Sequence, residues 1–530
     1  MRLSFAFILF FVLGNDWLSM HKGNATEKQQ ESICITDSQD VSPCVVVVFG
    51  ATGDLMARKL LPAIYQLAYE GYLSEHFAMV SFARAKNTHE SFRDRMERAL
   101  QQFCRTQPYD REFWNHFKHQ IFYHCSEFEN EQGYEKLKVF LAQIDQEFGT
   151  KGNRIYYLAT APSYFPIIIE QLSQHHLIDE NKGQNTPWSR VIIEKPFGYD
   201  LHSATQLQQQ ISQFLAENQV YRMDHYLGKE GVQNLLAFRF KNHLFEPMWN
   251  NQHIDHVQIT LAENIGIGLR ARFWEETGAL GDLLQNHLMQ LLALIAMEPP
   301  DHVNSASIHQ EKIRLLNAIR PFPPLEIENC AVRGQYGPGI IEEEKVPAYI
   351  EEKGVAPTSP TETFVAIKLF IDNERWKGVP FYIRGGKRLA KQTTEIAITF
   401  KQGPLSSEPN VLFFRIQPRA GVFLKILSKV PGLHDHLQPL LFGYQPETVF
   451  GEVSPEAYER MILDCIRGND HLFVRADEQI AAWRLLTPLL NYWRTHIPED
   501  FPNYEAGSWG PCAADLMLLK QGHQWQILEN

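Results

Sequence analysis

The apolar positions change their period along the chain, and the change divides it. Val45-Val46-Val47-Val48-Phe49 is an unbroken β-branched run, too short for a helix. Its lack of alternation predicts a strand covered on both faces, as in a parallel sheet. Gly50-Ala51-Thr52-Gly53-Asp54-Leu55 follows, and then Leu60, Leu61, Ile64, Leu67 and Ala68 recur at helical spacing as far as Gly71. The same alternation continues with strands over 78–83, 154–159 and 190–194 and helices near 89–104, 132–148, 163–175 and 202–217. Asp200 is placed to cap the last of these. Strand and helix in turn predict a doubly wound parallel sheet.

Further on the pattern differs. Val257 to Leu261 alternates, Gly278 to Met297 is a long apolar helix, and strand-like runs recur near 364–371, 394–400, 411–416 and 421–427 without helices between them. That predicts an α+β unit with a large, mainly antiparallel sheet. Val379 to Arg388 reads as a basic, Gly-containing turn between two of its strands, and the Pro- and acid-rich 338–362 as an exposed connection. Helices return at 454–467 and 475–495. The expected division is 1–42 outside the fold, 43–221 a Rossmann-like unit and 222–530 the β+α unit.

Composition narrows the function. A chain of 530 residues, 44% hydrophobic, has room for two cores. A net charge of -12 argues against a general nucleic-acid surface, so an anionic ligand must meet a local basic cluster. The seven cysteines are scattered and form no C-x-x-C. They predict reduced thiols in a reducing compartment, hence a cytoplasmic protein, and no zinc site. Leu3 to Leu13 is apolar but too short to span a membrane. It reads either as a signal-like segment or as a leader upstream of a start at Met20.

Three places carry chemistry. Gly50 and Gly53 open the backbone of the first strand–helix turn to a phosphate, helped by the helix N-terminus; a tight turn without ligand is the other reading. Arg84 closes the second strand, where a cation suits the 2′-phosphate of NADP. Lys195 ends another strand at the edge where ligands bind in such sheets. Tyr221 to Glu230 then sets Asp224, His225, Tyr226 and Lys229 within a few positions, in a loop or at the start of a helix. That string suits an anion, or is a plain charged turn. Asp282 and His287 share the apolar helix, five residues apart: near one side but not stacked, and open to a core role.

Several of these stretches resemble the glucose-6-phosphate dehydrogenase family. They are Gly50-Ala51-Thr52-Gly53-Asp54-Leu55, Ile193-Glu194-Lys195-Pro196-Phe197-Gly198, Arg222-Met223-Asp224-His225-Tyr226-Leu227-Gly228-Lys229-Glu230, Gln285-Asn286-His287, and Val379 to Lys387. Pro455 to Arg460 and Gly507 to Pro511 complete the ordered set, which covers about 43–525. The resemblance implies oxidation of β-D-glucose 6-phosphate at C1 to 6-phospho-D-glucono-1,5-lactone, the first oxidative step of the pentose phosphate pathway, by a homodimer or homotetramer. It implies NADP on Gly50, Thr52, Gly53, Asp54, Leu55, Arg84 and Lys195. It makes His287 the general base and Asp224 the acid that holds it. His225 and Lys229, with Tyr226 beside them, fall on the phosphate, and Glu263, Asp282 and Lys387 on the sugar, with Lys195 between substrate and nicotinamide. Lys391 stands four residues after Lys387, where the family usually has a cation five on. A second, structural NADP in some members would suit Arg415, Lys425 and Trp525, yet Leu441 stands where an acid is expected.

Overall fold

The computed structural model describes residues 41–178, 187–302, 304–323 and 326–528. The expected leader lies, except for Val41 and Ser42, outside the described residues. Six parallel strands form the first sheet: β1 (Cys44–Phe49), β2 (Phe77–Ala83), β3 (Ile121–Cys125), β4 (Arg154–Leu158), β5 (Ser189–Glu194) and β6 (Val220–Met223). Their order is β3-β2-β1-β4-β5-β6. Every residue of β1 and β2 is buried, which explains why their sequences do not alternate. Strand order reverses beside β1, and such a reversal opens a crevice at the C-terminal strand ends. Both Gly50 and Lys195 stand at that edge.

Sequence periodicity does not announce β3 and β6. Ile121-Phe122-Tyr123-His124-Cys125 mixes polar with apolar residues, and β6 is four residues long with an arginine inside it. Arg222 is nevertheless buried, because Glu217 (2.7 Å) and Gln208 (2.6 Å) take its guanidinium. The helix expected over 202–217 ends at Ile211; its start is as read, with Asp200 and Ser203 capping each other's backbone.

The second sheet comprises β7 (Ile254–Ala262), β8 (Ala331–Gly334), β12 (Phe364–Phe370), β13 (Pro380–Gly386), β14 (Thr393–Phe400), β15 (Val411–Gln417), β16 (Gly421–Lys429) and β17 (Leu437–Tyr444), with the short β9 (Tyr336–Gly337), β10 (Gly339–Ile341) and β11 (Glu344–Val346) pairing outside it. Its order is β17-β16-β15-β14-β7-β13-β12-β8, antiparallel throughout except for β7 beside β13. Two expectations are corrected here. Val379 to Arg388 is no turn: most of it is β13, an interior strand with every residue buried. Its arginine hid the strand, and Arg384 is accommodated between the rings of Trp525 (4.1 Å) and Trp509 (5.0 Å). The stretch 338–362 is not all exposed connection, since it holds β10 and β11 and buries Ala348 and Tyr349.

The long apolar helix also differs from its sequence reading. Gly278 has φ +58 and breaks it; Leu280–Leu288 then winds with π-type turns, and Met289–Ala296 continues as regular helix. Every residue from Leu280 to Ala296 is buried, and Leu280–Leu288 packs on β7, β12 and β13. Because π turns bond i to i+5, residues five apart come onto one face. Asp282 and His287 are therefore brought together by a winding that sequence spacing does not reveal. At Gly278 a Cβ would lie 2.2 Å from Oε1 of Glu362, the same oxygen that accepts from the backbone of Leu280 at 3.0 Å. Gly278→Ala is expected to cost about 1–3 kcal/mol, through strained φ and displacement of that cap. Urea unfolding checks this; a change under about 0.5 kcal/mol, the range of neutral surface changes, would contradict it.

Candidate active site

The end of β6 delivers the Asp224–Glu230 string into a tight turn. Leu227 N donates to Asp224 O (3.0 Å), Lys229 N to Tyr226 O (3.1 Å), and the helix Glu230–Lys241 begins at once. Asp224 Oδ1 accepts from Tyr226 N at 3.0 Å and from Nδ1 of His287 at 2.5 Å. The Tyr226 ring stacks on the His287 ring at 4.2 Å and the His225 ring meets it edge-on at 4.8 Å. Lys195, at the end of β5, reaches across: its Nζ lies 2.8 Å from Asp282 Oδ1 and 2.9 Å from His287 Nε2. The Lys195–Pro196 bond is cis.

These contacts define the imidazole. An ammonium is only a donor, so Nε2 must accept and Nδ1–H must donate to Asp224. Burial lowers the pKa of His287, Asp224 opposes this, and Lys195 lowers it further. Burial alone would raise the Asp224 carboxyl, but His287, His225 and Lys195 together hold it below the usual carboxylate range. Asp282 is held down likewise, against its burial, by Lys195 and Lys387. The cleft thus holds two ionised carboxylates and an uncharged histidine whose lone pair faces Lys195.

The cleft, about 600 Å³ in all, also gathers His225, Tyr226, Lys229, Glu263 and Lys387. Burial lowers Lys229, whose Nζ rests on Gln417 Oε1 at 2.6 Å. His225 is driven well below the ordinary histidine value by burial and then by His287 and Lys195, so it is a neutral donor and no cation. Glu263 and Lys387 form an ion pair at the ends of β7 and β13. The sequence reading missed Lys59, Arg270, Gln392, Gln417 and Tyr458, which line the same cleft. They come from distant elements, and only the Pro455–Arg460 motif could have pointed to one of them.

The Gly turn expected to meet a dinucleotide follows the C-terminal end of β1. Gly50 has φ +83, and its N bonds Phe82 O at 2.9 Å; a Cβ there would lie 2.3 Å from Ala159 O. Thr52 O accepts from Arg95 at 2.7 Å, while Asp54 and Gly53 are exposed and Leu55 half-buried. Arg84 is exposed just after β2, with Glu127 at 3.8 Å. This is an open turn with a cation beside it, which fits an anionic dinucleotide.

Elsewhere, Arg415 gives hydrogen bonds to Glu395 (3.2 Å) and to the carbonyl of Leu528 (3.4 Å), which also accepts from Lys391 (2.9 Å). Lys425 pairs with Glu408 at 3.2 Å, and Leu441 is exposed. The C-terminal segment itself therefore engages Arg415 and Lys391. Asp255, His256 and His523 bring possible metal-ligand atoms within 4.8 Å of one another. Hydrogen bonds from Gln258 and to Asp255 already engage both ring nitrogens of His256. Its Oε1 accepts from Gln526 N (2.7 Å), so its Nε2 gives protons to Gln524 O (2.8 Å) and His256 Nε2 (3.0 Å). His256 must then carry its proton on Nδ1 and give it to Asp255 (2.7 Å). The six cysteines among the described residues are free thiols, as expected.

Comparison with known proteins completes the picture. The family model of the glucose-6-phosphate dehydrogenase NAD binding domain matches residues 47–234, and that of the C-terminal domain residues 236–526. The chain is 50% identical over 495 residues to a glucose-6-phosphate 1-dehydrogenase of Chlamydia muridarum, covering 91% of this chain and 97% of that protein. Its identity to the Bacillus subtilis enzyme of that name is 42%, covering 91% and 98%. A solved glucose-6-phosphate dehydrogenase in complex with its substrate glucose-6-phosphate superposes with TM-score 0.82 at 33% identity, covering 93% of this chain and all of that one. With both halves matched and relatives aligned over nearly their full lengths, the chain belongs to the glucose-6-phosphate dehydrogenase family.

Proposed function

We propose that the protein oxidises β-D-glucose 6-phosphate at C1 to 6-phospho-D-glucono-1,5-lactone, with NADP+ as the hydride acceptor, the opening oxidative step of the pentose phosphate pathway. The observation that carries the reading is the buried Asp224–His287–Lys195 chain beside a cleft that also gathers Lys229 and Lys387. His287 takes the C1-hydroxyl proton on Nε2, once the sugar hydroxyl displaces the Lys195 ammonium from it. Asp224 fixes the tautomer beforehand and stabilises the imidazolium afterwards. Lys229, with Tyr226 and the neutral His225 as further donors, grips the phosphate. Glu263, Asp282 and Lys387 orient the sugar, so that C1 is presented rather than sampled. Gly50, Thr52, Gly53, Asp54 and Leu55 form the turn that would hold the pyrophosphate, Arg84 would pair with the 2′-phosphate, and Lys195 lies between nicotinamide and sugar. When bound, NADP+ supplies the hydride-accepting ring. The division of labour is 43–221 for the dinucleotide and 222–530 for substrate and self-association.

Initial rates at the reduced-nicotinamide absorbance, with glucose 6-phosphate and either NADP+ or NAD+, test the activity. His287→Asn is expected to lower kcat about 10²–10⁴-fold with little change in substrate affinity. Asp224→Asn should lower it too, and the double variant should lose far less than the product of both. Because His287 is shifted down, the acidic limb of kcat/KM should fall below the ordinary histidine value of 6.5: activity is full above the limb and lost as protons occupy Nε2. A fully active but destabilised His287→Asn would end the assignment.

Cofactor choice is tested separately. Arg84→Ala should raise KM for NADP+ about tenfold or more while leaving KM for NAD+ nearly unchanged, because a charge-assisted hydrogen bond is worth about 1.5–3 kcal/mol. Equal effects on the two would remove Arg84 from the 2′-phosphate.

A homodimer is supported by β17. It is an edge strand, exposed over all eight residues, with Leu437, Leu440, Leu441 and Phe442 each roughly half accessible. An exposed apolar edge of this kind calls for a partner, and a second copy of the same face supplies one. Sedimentation equilibrium is expected to give at least a dimer, and Leu440→Lys/Phe442→Asp a monomer. A parent chain that sediments as a monomer at micromolar concentration would refute this.

A further inference from the structure

Glu194 lies in the cleft, yet nothing in the reaction above uses its carboxyl. It is the last residue of β5, next to Lys195, and lines the cavity with His225 and Lys229. Its Oε1 accepts the hydroxyl proton of Tyr157 on β4 at 2.5 Å, and the carboxyl also takes the hydroxyl of Tyr458, at the start of the helix Ala457–Arg467. The Tyr458 ring lies nearly parallel to that of His225, 12° apart with centroids at 6.3 Å. Tyr458 is therefore at the end of the cleft assigned to the phosphate, while its one proton is turned away toward Glu194. Two phenol hydroxyls converge on one carboxylate, and neither has a second proton for a ligand.

The charges around Glu194 are mixed. From its own strand end Lys195 attracts the carboxylate, but that ammonium is also shared with Asp282 and His287. From the loop after β6 the Asp224 carboxylate repels it. Tyr157 and Tyr458 face it from β4 and from the Ala457–Arg467 helix. Burial, against the pull of the tyrosines and Lys195, pushes its pKa up to about 7. The phosphate group of a sugar phosphate is a dianion at neutral pH and accepts hydrogen bonds without donating any. Entering this cleft, it competes with the Glu194 carboxylate for Tyr458 and adds negative charge nearby.

We propose that Glu194 is a positioning residue that releases the Tyr458 hydroxyl to the substrate's phosphate by taking up a proton from solvent, so that substrate binding and protonation of Glu194 occur together. Ionised, Glu194 keeps the hydroxyl. Protonated, it donates its own O–H to a tyrosine oxygen, and the Tyr458 proton turns to the phosphate. No bond other than hydrogen bonds changes, and one proton enters for each substrate bound. The inference rests on the phosphate lying among His225, Tyr226 and Lys229, as proposed above.

The test is calorimetric binding of glucose 6-phosphate to the full chain without nicotinamide, from pH 6.5 to 9, in buffers of different ionisation enthalpy. The parent protein is expected to take up close to one proton at about pH 8, and its Kd to weaken toward about tenfold per pH unit above 7. Glu194→Gln, which cannot ionise, should bind with neither the uptake nor the slope through that range. Tyr458→Phe should bind more weakly at pH 6.5 and also lose the uptake; it carries the test alone if Glu194→Gln does not fold. A slope that persists unchanged in either variant would place the linkage on another group, such as Lys229, and overturn the proposal. Normal binding with no proton uptake in the parent would overturn it while leaving the substrate assignment standing. No binding by the parent at any pH would refute the substrate assignment and this inference with it.

Discussion

The arrangement depends on one buried contact, the hydrogen bond from His287 Nδ1 to Asp224 Oδ1. Both side chains are almost wholly withdrawn from water, and a carboxylate in that position is costly unless its charge is answered. His287 answers it with a proton, the Tyr226 backbone with another, and Lys195 with a charge at slightly longer range. Lys195 in turn is held by Asp282, one π turn before His287. The end of β5, the loop after β6 and the 280–288 segment are thus bound by one chain of proton donors and acceptors. Removing His287 would leave the Asp224 carboxylate without its side-chain donor.

The same contact joins the two sheets, and the surrounding ion pairs follow it. Arg105, beside the first sheet, takes Glu459 in a double hydrogen bond at 3.0 and 3.1 Å, and Lys59 takes Glu456 at 3.0 Å. Arg190 on β5 caps the far end of that helix through the carbonyls of Cys465 (2.6 Å) and Ile466 (2.7 Å), a favourable place for a cation. The helix Ala457–Arg467 is therefore clamped to the dinucleotide side at both ends while presenting Tyr458 to the substrate side. The end of the cleft that holds Tyr458 is in this way coupled mechanically to the first sheet and its Gly turn.

Much was legible in the residues alone. The continuous burial of β1 and β2 made their β-branched runs readable, because a strand covered on both faces has no need of polar positions. The Asp200 cap could be read because a short polar side chain bonds its own backbone neighbours. The site string was visible as a cluster because Asp224, His225, Tyr226 and Lys229 lie within six positions. What local pattern could not show was any residue whose polarity is neutralised by a distant partner. Arg222 hid β6 and Arg384 hid β13; Arg222 is received by Glu217, Gln208 and the distant carbonyl of Val474, and Arg384 by Trp525 far along the chain. Gln417 and Tyr458 stayed unread for the same reason, since their cleft exists only after the chain has folded.

The sequence by itself determined the alternation of strand and helix and the Gly turn after β1, which follow from local spacing and side-chain chemistry, and it offered Asp224, His287 and the lysines as candidates through the resemblance of their motifs to a family. Tertiary structure alone decided their states. It set the π winding that brings Asp282 and His287 onto one face, and the tautomer of His287. It also set the neutrality of His225, which the word histidine does not specify. These are properties of distance and of exclusion from water, and they arise only when β5, β6 and the 280–288 segment meet.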